Sequence, residues 1–304
     1  MVHHDLCPLC SSGDISLYLN VRDHFLSGEY FPVFSCRKCG FEFSQDYPDE
    51  AEIGRYYESA DYLSHNNSAG GFTAGIYRIA RDLMVQRKRR LIEKISGLKS
   101  GTILDIGSGS GYFASAMKNG GWKAMGIEIN EKAREASVSR LGLDVIDPAD
   151  ISTLKSSSFD CITLWHVLEH FHDPSGYADE ISRLLKPGGI CILALPNSNS
   201  YDAIHYAEFW AAYDVPRHLW HFNPDTFGHF SEKAGLLMKK ITTLPLDVFY
   251  ISSLSEKYKG SSFSFLRGIS RAFCYFGGSL FRKEKSSSVV YILNKKDSQN
   301  LQER

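Results

Sequence analysis

The chain of 304 residues is 43% hydrophobic and carries a formal net charge of −1. That length suits one α/β domain plus a smaller module, and a near-neutral balance excludes a strong electrostatic footprint for nucleic acid. No apolar run reaches the roughly 18 residues that span a bilayer, and Met-Val-His-His-Asp lacks the charged and apolar regions of a secretory signal, so the expected location is the cytoplasm.

Residues 1–45 read as a zinc-ribbon-like module. Cys7-Pro-Leu-Cys10 and Cys36-Arg-Lys-Cys39 are two C-x-x-C turns. Thiolates two residues apart reach one tetrahedral zinc, and two such turns close a structural four-sulfur site with Cys7, Cys10, Cys36 and Cys39 as ligands. Ile15–Leu19 and Phe31–Ser35 alternate like short strands. A redox pair is the rival for either turn alone; two turns framing strand-like runs favour zinc. Cys161, Cys191 and Cys274 lie in apolar runs and read as core, and His3, His4 and His24 as bystanders.

Residues 46–73 read as a connector. Tyr56-Tyr57 and Gly70-Gly71 suit a flap over a ligand or an ordered linker with packed aromatics. From Ala74 to Ile95 apolar residues recur at helical intervals, with Arg87–Arg90 as a solvated charged face.

The core, residues 74–250, is organised around one stretch. Thr102-Ile-Leu104 is a buried strand closed by Asp105, and Gly107, Gly109 and Gly111 follow at every second position before a helix resumes at Tyr112. Strand, glycine turn, helix opens a doubly wound α/β domain whose ligand lies over the turn. Gly109 to Ala114 also fits G-x-G-x-x-[GA], but a pyrophosphate wants positive potential, and the turn has no Lys or Arg while Asp105 sits at its mouth. S-adenosylmethionine (SAM), with an ammonium, a sulfonium and no phosphate, suits the loop better. The second strand ends at Glu128, with Ile129 beside it, where a carboxylate takes two ribose hydroxyls. NAD enzymes use an acid there too, so Glu128 does not choose between cofactors. Asp150 falls where a side chain meets an adenine amine or simply makes a turn.

Phe159–Leu164 is an apolar strand running into Trp165, His166, Glu169 and His170. In open α/β sheets the carboxyl ends of strands face the ligand crevice. Lys186-Pro-Gly-Gly189 is a turn, followed by the buried strand Ile190–Leu195. Then Phe209, Trp210, Tyr213, Asp214, Arg217, His218, Trp220 and His221 cluster within a few positions. Aromatic faces suit sugar or ring stacking, Arg217 an anionic group, and a histidine changes charge near neutral pH. A packed histidine among aromatics is the plainer alternative.

Residues 236–251 supply two strand-like runs. Residues 251–286 are an amphipathic insertion that lies on a membrane surface, packs on the body or meets a second subunit. Residues 287–304 are a last core strand and a polar tail. Oligomeric state is left open.

Taken together, Asp105-x-Gly107-x-Gly109-x-Gly111, Glu128, Phe159–His170 and Leu185–Gly189 resemble the class I SAM-dependent methyltransferases over roughly residues 75–250. The resemblance implies a seven-stranded sheet with helices on both faces. It places the methionine end of SAM near Asp105 and Gly107, the ribose on Glu128, and Trp165 and His166 beside the cofactor. The cysteine pairs ahead of the domain are similar to those of bacterial sugar- and polysaccharide-pathway methyltransferases. That implies a small-molecule or glycan acceptor, with His218 as general base and His170 nearby. Arg217 departs from the acid expected before the base. An NAD(P)-dependent oxidoreductase and a non-catalytic zinc-ribbon, SAM-binding protein are the alternatives.

Overall fold

The computed structural model describes residues 1–57 and 72–296. In chain order the elements are β1 (Ile15–Arg22), β2 (Tyr30–Cys36), β3 (Glu42–Ser44), α1 (Phe72–Ser96), β4 (Thr102–Ile106), α2 (Tyr112–Asn119), β5 (Lys123–Ile127), α3 (Glu131–Leu141) and β6 (Asp144–Ile146). They continue as β7 (Phe159–Trp165), α4 (Pro174–Leu184), β8 (Leu185–Pro196), α5 (Tyr201–Tyr206), β9 (Trp220–His221), α6 (Pro224–Lys233), β10 (Leu236–Thr243), α7 (Asp247–Tyr258), α8 (Ser264–Phe281) and β11 (Ser288–Lys295). Gly70-Gly71 of the expected flap and the polar tail 297–304 lie outside the described residues.

The larger sheet has seven strands in the order β10-β11-β8-β7-β4-β5-β6. The pairs from β8 to β6 are parallel, while β11 runs antiparallel to both its neighbours. Along β8, Cys191, Leu193 and Leu195 enter one core cluster, and Ile190, Ile192 and Ala194 enter the other. Both faces of this strand are covered, so it is apolar throughout rather than alternating. Strand order reverses beside β4, which has β5 on one side and β7 on the other. A ligand crevice opens outside the carboxyl ends of such a pair.

A second sheet has four strands, β1-β2-β3-β9. Its fourth strand comes from the far side of the chain, with Glu42 opposite His221 and Phe43 opposite Trp220. Cys7, Leu9, Cys36 and Phe41 share one core cluster with Leu219, Trp220 and Phe222 and with the large sheet. The cysteine module therefore holds the segment around His218 in place.

Three expectations change. Cys161 and Cys191 are buried, but Cys274 is exposed on α8 and is not core. The second strand-like run before residue 251 is the start of α7: Val248, Ile251, Ser252 and Ser255 are buried at helical spacing, with Asp247 in the first turn. Lys186–Gly189 lies within the bounds of β8 instead of preceding it. Among the described residues, no helix is long and apolar enough to cross a membrane.

Candidate active site

The glycine turn leaves the end of β4 with Gly107, Gly109 and Gly111 all at positive φ. A Cβ on Gly107 would lie 2.4 Å from Val167 Cγ2, whereas one on Gly109 would meet nothing within 4 Å. The first glycine is needed for packing, and the second leaves a shallow place over bare backbone, a cradle for a ligand. The backbone N–H of Gly109 donates to Glu128 Oε2 at 2.7 Å, and that of Asn130 to Oε1 at 2.9 Å, which fixes the carboxylate at the rim.

Asp105 is 3% exposed and accepts a hydrogen bond from Thr163 Oγ1 at 2.7 Å. Burial pushes its carboxyl up to about 7, against the Thr163 hydrogen bond and the positive charge of Lys88. Lys88, on α1, sits 4.2 Å from the centre of the Trp165 ring. The Arg87–Arg90 cluster is therefore not wholly a solvated face, because this lysine turns inward. Trp165 Nε1 and Ser108 Oγ are buried without hydrogen-bond partners among the described residues. Such groups are costly unless a ligand satisfies them. Ile129 is 79% exposed beside Glu128, and Asp150 lies exposed in a short 3₁₀ helix.

Beyond β7 the chain builds a charged cluster. His166, at φ 59°, has Nε2 3.0 Å from Asp247 Oδ2 and Nδ1 3.5 Å from Glu169 Oε1. Burial opposes its charge, but the carboxylates of Asp247 and Glu169 outweigh it and raise His166 to about 9. Glu169 is 1% exposed, and neither carboxylate oxygen has a hydrogen-bond partner among the described residues. Burial pushes it up, yet the neighbouring His166 holds it below the usual carboxylate range.

His170 and His218 meet edge to face, ring centres 4.5 Å apart. His170 Nδ1 donates to the Arg217 carbonyl at 3.0 Å, with the Tyr57 hydroxyl 3.1 Å from the same nitrogen. His218 Nδ1 donates to the Ala212 carbonyl at 2.8 Å. A carbonyl only accepts, so Nδ1 carries the proton in both rings and Nε2 keeps the lone pair. Burial and the neighbouring His218 lower His170 to about 4, so it is neutral at physiological pH. Glu169, His170 and His218 offer ligand atoms within 4.8 Å of one another, a set that suits either proton transfer or a cation.

The other residues expected to bind substrate are not free to do so. Arg217 is 2% exposed and gives its donors to Asp214, to Asp23 at 2.9 Å and to the Tyr56 carbonyl. It pins the His218 turn to the N-terminal module. Tyr213 donates to Glu42 at 3.3 Å, Trp220 Nε1 to the Phe171 carbonyl at 2.6 Å, and His221 Nε2 lies 3.1 Å from Ser44 Oγ. All three are buried at the junction of the two sheets. The aromatic cluster read as a stacking surface is core. Asp214 stands 4.0 Å from His218 Nε2. Sequence reasoning passed over Lys88, read only as part of a solvated charged face, and Asp247; Glu169 carried a signal within the strand-end motif, and Tyr57 one as part of the candidate flap.

In the N-terminal module Cys7 Sγ lies 3.6 Å from Cys39 Sγ, and Cys10 Sγ 3.6 Å from Cys36 Sγ. Four sulfurs on a tetrahedron of bonds near 2.3 Å stand about 3.8 Å apart. Both turns close alike, Ser11 N–H on the Cys7 carbonyl and Gly40 N–H on the Cys36 carbonyl, each at 2.8 Å and positive φ. The donor set fits one cation without strain.

This sheet order, with a reversed β11 and a glycine turn facing an acid across the crevice, defines a class I SAM-dependent methyltransferase. The chain belongs to a methyltransferase-domain family, whose model matches residues 78–240. It is 32% identical over 169 residues to a ubiquinone biosynthesis O-methyltransferase of Pseudomonas paraeruginosa, covering 50% of this chain and 72% of that one. It is 26% identical over 167 residues to one from Acinetobacter baumannii, covering 50% and 70%. Among solved structures, the 1,6-didemethyltoxoflavin-N1-methyltransferase of Burkholderia thailandensis shares the fold, with a TM-score of 0.52 at 14% identity. That likeness covers 91% of this chain and all of the other. The oxidoreductase and non-catalytic alternatives fall with these matches.

Proposed function

We infer that the protein methylates a hydroxyl of a small acceptor, with His218 as general base and His170 beside it. The observation that carries the reading is the pair of imidazoles whose Nδ1 atoms are both tied to backbone carbonyls. That leaves the Nε2 lone pair of each ring free to accept a proton, and each imidazole has a nitrogen within 4.8 Å of the buried Glu169 carboxylate.

SAM, when bound, supplies a methyl group on a sulfonium that leaves without acid help. Asp105 and Gly107 hold its methionine end, Glu128 its ribose, and Ile129 and Asp150 its adenine, with Trp165 and His166 lining the inner side. The chain's remaining tasks are to hold the acceptor in line with the methyl carbon and to remove its proton. His218 Nε2 takes that proton as the oxygen bonds to carbon. The Glu169 carboxylate then offsets the charge that appears on the imidazolium. General-base help of this kind is worth about 10²–10⁴-fold.

The names of the curated relatives favour oxygen as the nucleophile. A sugar or glycan acceptor, and a role in polysaccharide biosynthesis, rest on the cysteine pairs alone, and no comparison adds support. Cys7, Cys10, Cys36 and Cys39 hold a structural zinc in this reading.

The test is His218→Ala assayed against a panel of phenolic, sugar and aliphatic hydroxyl acceptors. Turnover should drop by about 10²–10⁴-fold while calorimetric SAM affinity stays within a factor of two or so. A variant with full turnover would return His218 to a packing role.

A further inference from the structure

The helix α8 is turned inside out. Its buried face is made of Gly268, Ala272 and Ser279, and a Cβ on Gly268 would stand 2.3 Å from Ser253 Cα on α7. Small residues let the two helices approach closely. The large apolar residues are left outside: Phe265 is 66% exposed, Phe273 61%, Leu280 62% and Phe281 91%. Phe265, Ile269, Phe273, Phe276 and Leu280 recur at three- and four-residue spacing, one stripe along the helix, with Phe281 at its end. Phe249 of α7 extends the stripe, its ring centre 5.0 Å from that of Phe273. A contiguous apolar surface of this kind marks an interaction site.

Charge selects the occupant. Residues 256–285 carry seven basic side chains and two acidic, Glu256 and Glu284, in a chain of net charge −1. Arg271 is paired with Glu256 at 2.9 Å, while Arg267 is exposed on α8 and Arg282 and Lys283 follow Phe281 at its end, also exposed. Two copies pairing through this face would press like charges together, whereas anionic lipid headgroups would neutralise them. At 18 residues, with two arginines inside, α8 can lie in a membrane interface but not cross it.

We propose that α8 and the adjoining face of α7 dock the protein on an anionic membrane surface. Docking is independent of the acceptor and of the base assigned above.

Full-length protein mixed with phosphatidylcholine vesicles, with and without phosphatidylglycerol, tests this by co-sedimentation. The expected result is binding to the anionic vesicles at least tenfold tighter than to the neutral ones, weakening as salt is added. Phe265→Ser with Phe273→Ser should lower that binding at least tenfold, with SAM affinity and melting temperature unchanged. If that pair disturbs folding, Arg267→Gln with Lys283→Gln, at exposed positions, should reduce anionic binding and its salt dependence. Failure to bind either vesicle overturns the proposal. So does a concentration-dependent dimer in sedimentation equilibrium that the Phe→Ser pair dissolves, since the face would then belong to a second copy.

Discussion

The cofactor half and the proposed proton-transfer half of the site are built differently. Asp105, the glycine turn and Glu128 come from two neighbouring parallel strands and the turn between them, where each carboxyl is fixed by a hydroxyl or a backbone N–H close by. Tyr57, Glu169, His170 and His218 come from three distant segments, and the last is held only because Arg217 is clamped to Asp23 and β9 completes the N-terminal sheet. The first half is a local motif on a stiff sheet; the second depends on the whole chain closing. Damage to the cysteine module should therefore reach catalysis before it reaches cofactor binding.

The largest separation should come from Arg217→Met. Removing one partner of a buried ion pair leaves Asp23 and Asp214 uncompensated, a cost of about 3–5 kcal/mol to be read from denaturant melts. In the fraction that stays folded, turnover should fall steeply with SAM affinity nearly intact. Equal losses in both would mean that the two halves are not separable.

Zinc removal asks the same question more gently. Untagged protein should carry one zinc per chain, at Cys7, Cys10, Cys36 and Cys39, and none at Glu169, His170 and His218. Stripping it with a chelator should lower the melting temperature and the turnover, because the sheet that anchors β9 loses its tie. Two metals per chain by elemental analysis would replace the base at His218 with a metal centre.

Glu128→Ala probes the other half. It removes hydrogen bonds from ribose hydroxyls to a charged acceptor, worth about 1.5–3 kcal/mol each, and should weaken SAM at least tenfold. Calorimetry showing wild-type affinity in a folded variant would take Glu128 out of the site.

The smallest effects are those of pH. Asp105, raised to about 7 by burial, should face the ammonium best when ionised, so SAM affinity should grow as pH rises through 7. Asp105→Asn should flatten that limb. His166 works with the opposite sign. Its pKa is near 6.5 unfolded and about 9 folded, so its stabilisation is complete below pH 6.5 and lost as pH climbs through 9. The alkaline fall in melting temperature should shrink in Asp247→Asn. A melting curve indifferent to that substitution would break the His166–Asp247 pairing.

What the sequence by itself determined is what neighbours in the chain decide. A buried strand, an acid and alternating glycines specify the turn at residues 102–111, and C-x-x-C spacing brings two sulfurs together twice, because both depend on a few consecutive dihedrals. The apolar runs of β7, β8 and β11 were legible for the same reason, as buried strands read without periodicity. What only the tertiary structure decided is which polar groups find one another. Arg217 reads as an anion receptor until Asp23 arrives from far upstream to occupy it, and Trp220 reads as a stacking surface until β3 covers it. Lys88 reads as solvated until Trp165 lies beneath it. Residues 247–251 read as a strand because a short apolar run carries no period of its own, and burial of Val248 and Ile251 settles it as a helix. Long-range pairing energy, not local preference, fixes these contacts, so the proposed proton-transfer half became visible only when the chain was closed.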